Sequence, residues 1–163
     1  MIRTVADFET IWKNESAITA GVLAVLTDPS LAQRVTPKDR SLGDMAWHIA
    51  TAIPEMMGRT GLVVAGADHD VACPASAKAI HDAYVQAAGS LLEQVRRTWT
   101  DQTLTLEDDM YGERWPRGAT LLALLVHQIH HRGAMTVLMR QAGLVVPTIY
   151  GPNREQSEAM GIG

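Results

Sequence analysis

The chain has a single cysteine, no cluster of Lys or Arg and no apolar run of membrane-spanning length, and each shortage removes a class of protein. Cys73 has no partner for an internal disulfide, the ordinary state of a chain in a reducing compartment, so a cytoplasmic location is expected. The 14 basic side chains are outnumbered by 18 acidic ones, for a net charge of −4. Nothing in that balance can track a phosphate backbone, and nucleic acid is not expected as a partner. The longest uncharged apolar stretch, SAITAGVLAVLT, is too short to cross a bilayer, and MIRTVADFET has no continuous apolar segment after Arg3. Neither a membrane anchor nor a targeting segment is therefore expected. Internal repeats, low-complexity segments and strong strand signals are missing as well.

What remains is a chain of 163 residues, 47% of them hydrophobic, enough for one sizeable core, and a single domain over 1–163 is expected. Val5, Phe8, Ile11, Trp12, Ile18, Val22, Val25 and Leu26 recur at steps of three and four, the mark of a helix with one buried stripe. Pro29 in TDPS ends it. SLGD, a Ser followed three residues later by an acid, predicts a helix start near Ser41. Leu42, Met45, Ile49, Ala52, Ile53 and Met56 form its stripe, with Pro54 as a kink or early end. After a Gly- and Ala-rich linker, a third helix carries Ile80, Tyr84, Ala87, Leu91, Val95 and Trp99, with Arg96 and Arg97 suited to the negative pole of its dipole. Residues 100–117 are polar, acidic and broken by Gly112 and Pro116. They predict a long loop of functional use, in which TLTL could hide a short strand pair. The fourth helix is expected from about Ala119 to Gln141, with Gly143 just past its end and Pro147 beyond. The tail, TIYGPNREQSEAM, can dock one further turn. The predicted fold is all-α: an antiparallel four-helix bundle with a long loop before the last helix.

Into the last helix, LLALLVHQIHHRGAMTVLM, the chain places three histidines within five residues. His127 and His131 are one turn apart and share a face, so two imidazoles can reach one cation; the step from His127 to His130 allows the same. A third ligand must come from another helix, and His48, beside the buried stripe of the second helix, is the best candidate. His69 in the linker and His81 on the third helix are read as solvated. A lone His near an apolar stripe is more often a hydrogen-bonded core residue than a ligand. A pair on an aliphatic helix differs, because every buried ring nitrogen needs a partner, at about 1–3 kcal/mol for each one left without.

HQIHHRGAM on the last helix, DMAWHIA on the second and the closing GLVVPTIYGP together resemble the DinB/YfiT-like metal-binding bundle family over nearly the whole chain. The HRG with a His four residues before its own His is the most specific element. The resemblance implies a four-helix bundle with a divalent metal held by His48, His127 and His131, leaving His130 as an outer or interface residue. Ala134 departs from the pattern, which often has Gln directly after HRG. Three neutral imidazoles leave a cation its full charge and an open position, the composition of a catalytic site. Zn, Ni or Fe suit them about equally. The family includes thiol-dependent transferases and bundle domains of metal-dependent isomerases and hydrolases. A metal-dependent enzyme acting on a small molecule is thus the leading expectation, with S-transfer from a low-molecular-weight thiol ahead of hydrolysis. Glu55 is a candidate general base and Asp44 a candidate orienting partner for His48, although solvation and helix capping explain them equally well. Arg132 can meet an anionic substrate or pair with an acid of the long loop. Asp108, Asp109 and Tyr111 are placed at the pocket rim, and Gly133 at a close approach of another backbone. The competing expectations are a non-enzymatic homodimer stapled by metal, a sensor or stress-related binding module, and a bundle without metal.

Overall fold

The side chain of Thr4 accepts the Asp7 N–H at 3.0 Å and the Asp7 carboxylate accepts the Thr4 N–H at 3.1 Å, a reciprocal cap that starts α1, Val5–Ala24. Ser41 and Asp44 repeat the device at 3.0 Å in each direction and start α2, Leu42–Gly58, where SLGD places it. Ser76 caps α3, Ala77–Thr98. Next come a short hairpin, β1 (Glu107–Met110) and β2 (Glu113–Pro116), then α4, Arg117–Gln141, and a final turn, α5, Arg154–Ala159. Gly143, at φ +77, takes the left-handed position that closes α4. These elements come from a computed structural model of the protein, which describes residues 2–162.

The four long helices form the bundle, α1 packing on α3 and α4, and α2 on the same two. Phe8, Trp12, Leu42, Met57, Ile80, Tyr84, Leu91 and Met139 are among the fully buried side chains of its core. Trp12 also donates its indole N–H to the Ala88 carbonyl at 3.0 Å, so α1 and α3 are joined by a directional bond inside the apolar layer.

Four features differ from the sequence reading. The buried stripe of α1 is Phe8, Trp12, Glu15, Thr19 and Val22; Ile11 and Val25 are 43% and 37% exposed. Phe8, Trp12 and Val22 are common to both stripes; the difference lies in Glu15 and Thr19, which are buried because they bond the buried Arg132 of α4. Pro54 neither ends α2 nor stops the helix before Gly58. The segment before α4 is ordered rather than a loop: the first three residues of TLTL lie in a 3-10 turn, Asp101–Thr105, which Leu106 ends, and the strands follow it. Gly133 has open space where a Cβ would stand, so no backbone approaches it closely.

Candidate metal centre

His127 and His131 follow one another by one turn of α4 and their ring centroids stand 4.4 Å apart. The cap at Ser41 and Asp44 sets the phase of α2, so that His48 faces the same point, 4.9 Å from the His127 ring and 4.8 Å from that of His131. One nitrogen from each ring falls in a group within 4.8 Å of one another. Nε2 of His48 and Nε2 of His127 are 3.0 Å apart. Two nitrogens on one transition-metal ion at about 2.0–2.1 Å stand about 3.0–3.4 Å from each other, so this spacing fits a shared cation.

The rings are half-buried, and burial pushes the pKa of His48 and of His131 down to about 4, helped by neighbouring imidazoles and by the positive charge of Arg40. His127 is lowered for the same reasons, burial first. At neutral pH all three are uncharged and keep a lone pair to offer, which is the protonation state a metal requires. His130 is exposed, its ring 5.0 Å from that of His131 and outside the group. His81 bonds Asp82, and His69 stands exposed between Asp68 and Asp70.

A cavity of about 770 Å³ opens beside the histidines, with His48 and His127 in its wall. Trp47, Met56, Trp115 and Ala123 supply its apolar side, and Arg40, Asp44, Glu55, His69, Cys73 and Tyr111 its polar side. The linker after α2 folds back over that helix, held by the Trp47 indole N–H donating to the Val71 carbonyl at 2.7 Å, and so brings Cys73 and His69 to the rim. Tyr111 comes from the hairpin. It and Gly112 form a two-residue turn with φ of 59° and 88°, a left-handed pair in which a tyrosine is unusual. Its hydroxyl donates to Glu55 Oε2 at 2.7 Å, while Arg59 Nε donates to Glu55 Oε1 at 2.8 Å. Burial, followed by the Glu55 carboxylate, pushes the Tyr111 phenol up to about 12.

The weaker candidates separate. Glu55 lies in the cavity wall. Asp44 lines it too, but its carboxylate bonds the Ser41 N–H and pairs with Arg34 at 3.2 Å, and it makes no hydrogen bond to His48 among the described residues. Arg132 is not in the cavity wall and its acidic partner is not in the loop: it is 1% exposed and reaches α1, bonding Glu15 Oε2 at 2.6 Å and Thr19 Oγ1 at 2.9 Å, with Tyr150 of the tail as a further partner. Asp108 pairs with Arg117 at 2.8 Å and Asp109 accepts the Gly112 N–H, so of the three predicted rim residues only Tyr111 lines the cavity. Arg40, Cys73 and Trp115 had no periodicity or motif to single them out as cavity residues, and Trp47 is signalled only by its place beside His48 in DMAWHIA.

The family model for the DinB family matches residues 1–161. The chain belongs to the DinB family. A Bacillus subtilis (strain 168) member, described as uncharacterized protein YrdA, is 41% identical over 162 residues, covering 99% of this chain and 97% of that protein. The crystal structure of a DinB-like protein from Bacillus cereus ATCC 10987 superposes with a TM-score of 0.89 at 45% identity, over 92% of this chain and 100% of that one. A second DinB-like structure, YjoA of Bacillus subtilis, shares the fold at a TM-score of 0.69 and 17% identity, over 88% and 97% of the two chains. The DinB bundle is therefore the scaffold on which His48, His127 and His131 form a group able to hold a metal ion. No helix among the described residues is long and apolar enough to cross a membrane.

Proposed function

We propose that this DinB-family protein is a metal-dependent enzyme of the cytoplasm, in which His48, His127 and His131 hold a divalent ion, Zn, Ni or Fe, and the adjoining cavity takes a small molecule. The observation that carries this reading is the convergence of three uncharged imidazoles on one point at the wall of a cavity. A structural site would be closed on all sides by protein ligands; this donor set leaves room for a substrate atom. When bound, the ion supplies Lewis-acid chemistry, lowering the pKa of water or of a thiol and polarising a carbonyl. S-transfer from a low-molecular-weight thiol is the favoured reaction, with hydrolysis second. Trp47, Met56 and Trp115 keep water from the apolar part of the substrate. Glu55, with its two oxygens aligned by Arg59 and Tyr111, is assigned to hold the proton released by the nucleophile.

The test has two stages. Elemental analysis of protein produced without added metal should find a divalent ion in the wild type and lose it in His127→Ala. Metal-loaded protein is then assayed on panels of thiols and esters, where Glu55→Gln should lower kcat by about 100-fold or more at unchanged metal content. The same metal in wild type and His127→Ala removes the reading.

A second reading has its own support. Leu122, Val126, Ile129 and Val137 form an exposed apolar stripe on α4, suited to a second copy of the chain, with His130 at its edge. A homodimer is compatible with an enzyme, but a dimer in which the metal only staples the bundle would show a large loss of melting temperature in His48→Ala and no turnover on either panel.

A further inference from the structure

The polar side of the cavity contains two acids, Asp44 and Glu55, and each is already matched by an arginine: Arg34 at 3.2 Å from Asp44, Arg59 at 2.8 Å from Glu55. Arg40 lines the same wall, yet its guanidinium has no hydrogen bond and no ion pair among the described residues. Its neighbour Asp39 accepts the Thr36 N–H instead, at 3.0 Å. Arg40 shares that wall with His48 and His127, two of the three converging histidines. Asp44 and Glu55 are thus each matched, Asp68 and Asp70 flank His69 at the rim, and Arg40 is a cavity-lining guanidinium that no acid matches among the described residues. A divalent ion on the histidines would add positive charge on the same side of the cavity. A surface arginine with no partner is ordinarily just solvated. This one shares its wall with Trp47, Met56 and a set of uncharged imidazoles, where local charge is less screened than on an open surface.

We propose that Arg40 anchors the carboxylate of the small molecule that this cavity takes, and that the substrate is accordingly a small organic acid with an apolar body. The body packs on Trp47 and Met56 while the reacting group faces the three histidines. This rests on the metal reading above and adds the chemical class of the ligand.

The test uses the full chain loaded with Co(II) and two probes, 3-mercaptopropionate and its uncharged amide, titrated at pH 7 and low salt. The readout is the sulfur-to-cobalt absorption band, which reports binding without turnover. The wild type should prefer the acid by about five- to tenfold. Arg40→Gln should erase the preference while leaving affinity for the amide unchanged, Arg40→Lys should retain part of it, and raised salt should weaken it. Equal binding of acid and amide by the wild type, or a preference that survives in Arg40→Gln, overturns the anchor alone. Failure of the wild type to bind cobalt overturns the anchor and the metal reading together. Because Arg40 is exposed, the variant should melt with the wild type.

Discussion

Arg132 follows a candidate ligand directly in sequence, and its burial gives it a different task. With Glu15, Thr19 and Tyr150 it joins α4, α1 and the tail immediately beyond His131. Removing one partner of a buried pair leaves the other charge uncompensated, so Arg132→Ala should lower unfolding free energy by about 3–5 kcal/mol, and Glu15→Gln/Arg132→Met less than that. Denaturant melts of the two variants check this. The imidazoles set a pH dependence. In the unfolded chain they take up protons below about pH 6.5, whereas folded His48 and His131 stay neutral until about 4. The unfolded state binds more protons in that window, so their contribution is complete above pH 6.5 and disappears as pH falls toward 4. Calorimetry of metal-free protein should show lower melting at pH 5 than at pH 7, with a shallower slope in His48→Asn/His131→Asn. The pair on α4 was legible because one turn separates His127 from His131. The partner of Arg132 was not, since Glu15 lies 117 positions away in the chain and no local pattern marks it.

Helices with a cap and a stripe could be read directly: SLGD fixed the start of α2, and Gly143 the end of α4. Ser41→Ala should cost about 1 kcal/mol, and because the same cap sets the position of His48, metal affinity should fall with it; chemical melts and a competitive metal titration measure both. The hairpin was illegible for a physical reason. EDDM and ERWP carry one large apolar side chain each on their inner face, Met110 and Trp115, which pack on the core; one per strand is too few to show a period-two pattern, and the two-residue turn and the Arg117–Asp108 pair complete the hairpin. In that turn Tyr111 carries a left-handed backbone that asparagine adopts more readily. Tyr111→Phe, which keeps the strain and loses the bond to Glu55, should lose about 0.5–1.5 kcal/mol. Tyr111→Asn should lose less, and thermal melts distinguish them.

For the molecule as a whole, the sequence supports the bundle and its candidate ligands, but not the cavity, because its walls come from five separate places: Arg40 before α2, α2 itself, the linker folded back over it, the hairpin and α4. Composition likewise conceals that Arg40 lines this cavity without an acidic partner among the described residues. If the histidines hold an ion, folding and binding are linked: free metal at about one hundred times its Kd should add about 2.7 kcal/mol of stability, and a chelator should reverse the gain. The most direct measurement is the metal content of protein produced without supplementation, for the wild type and for His48→Ala, His127→Ala and His131→Ala, each verified as folded by circular dichroism. The prediction is a near-equimolar divalent ion in the wild type and its loss in every folded variant. The same trace of metal in all four proteins would contradict it.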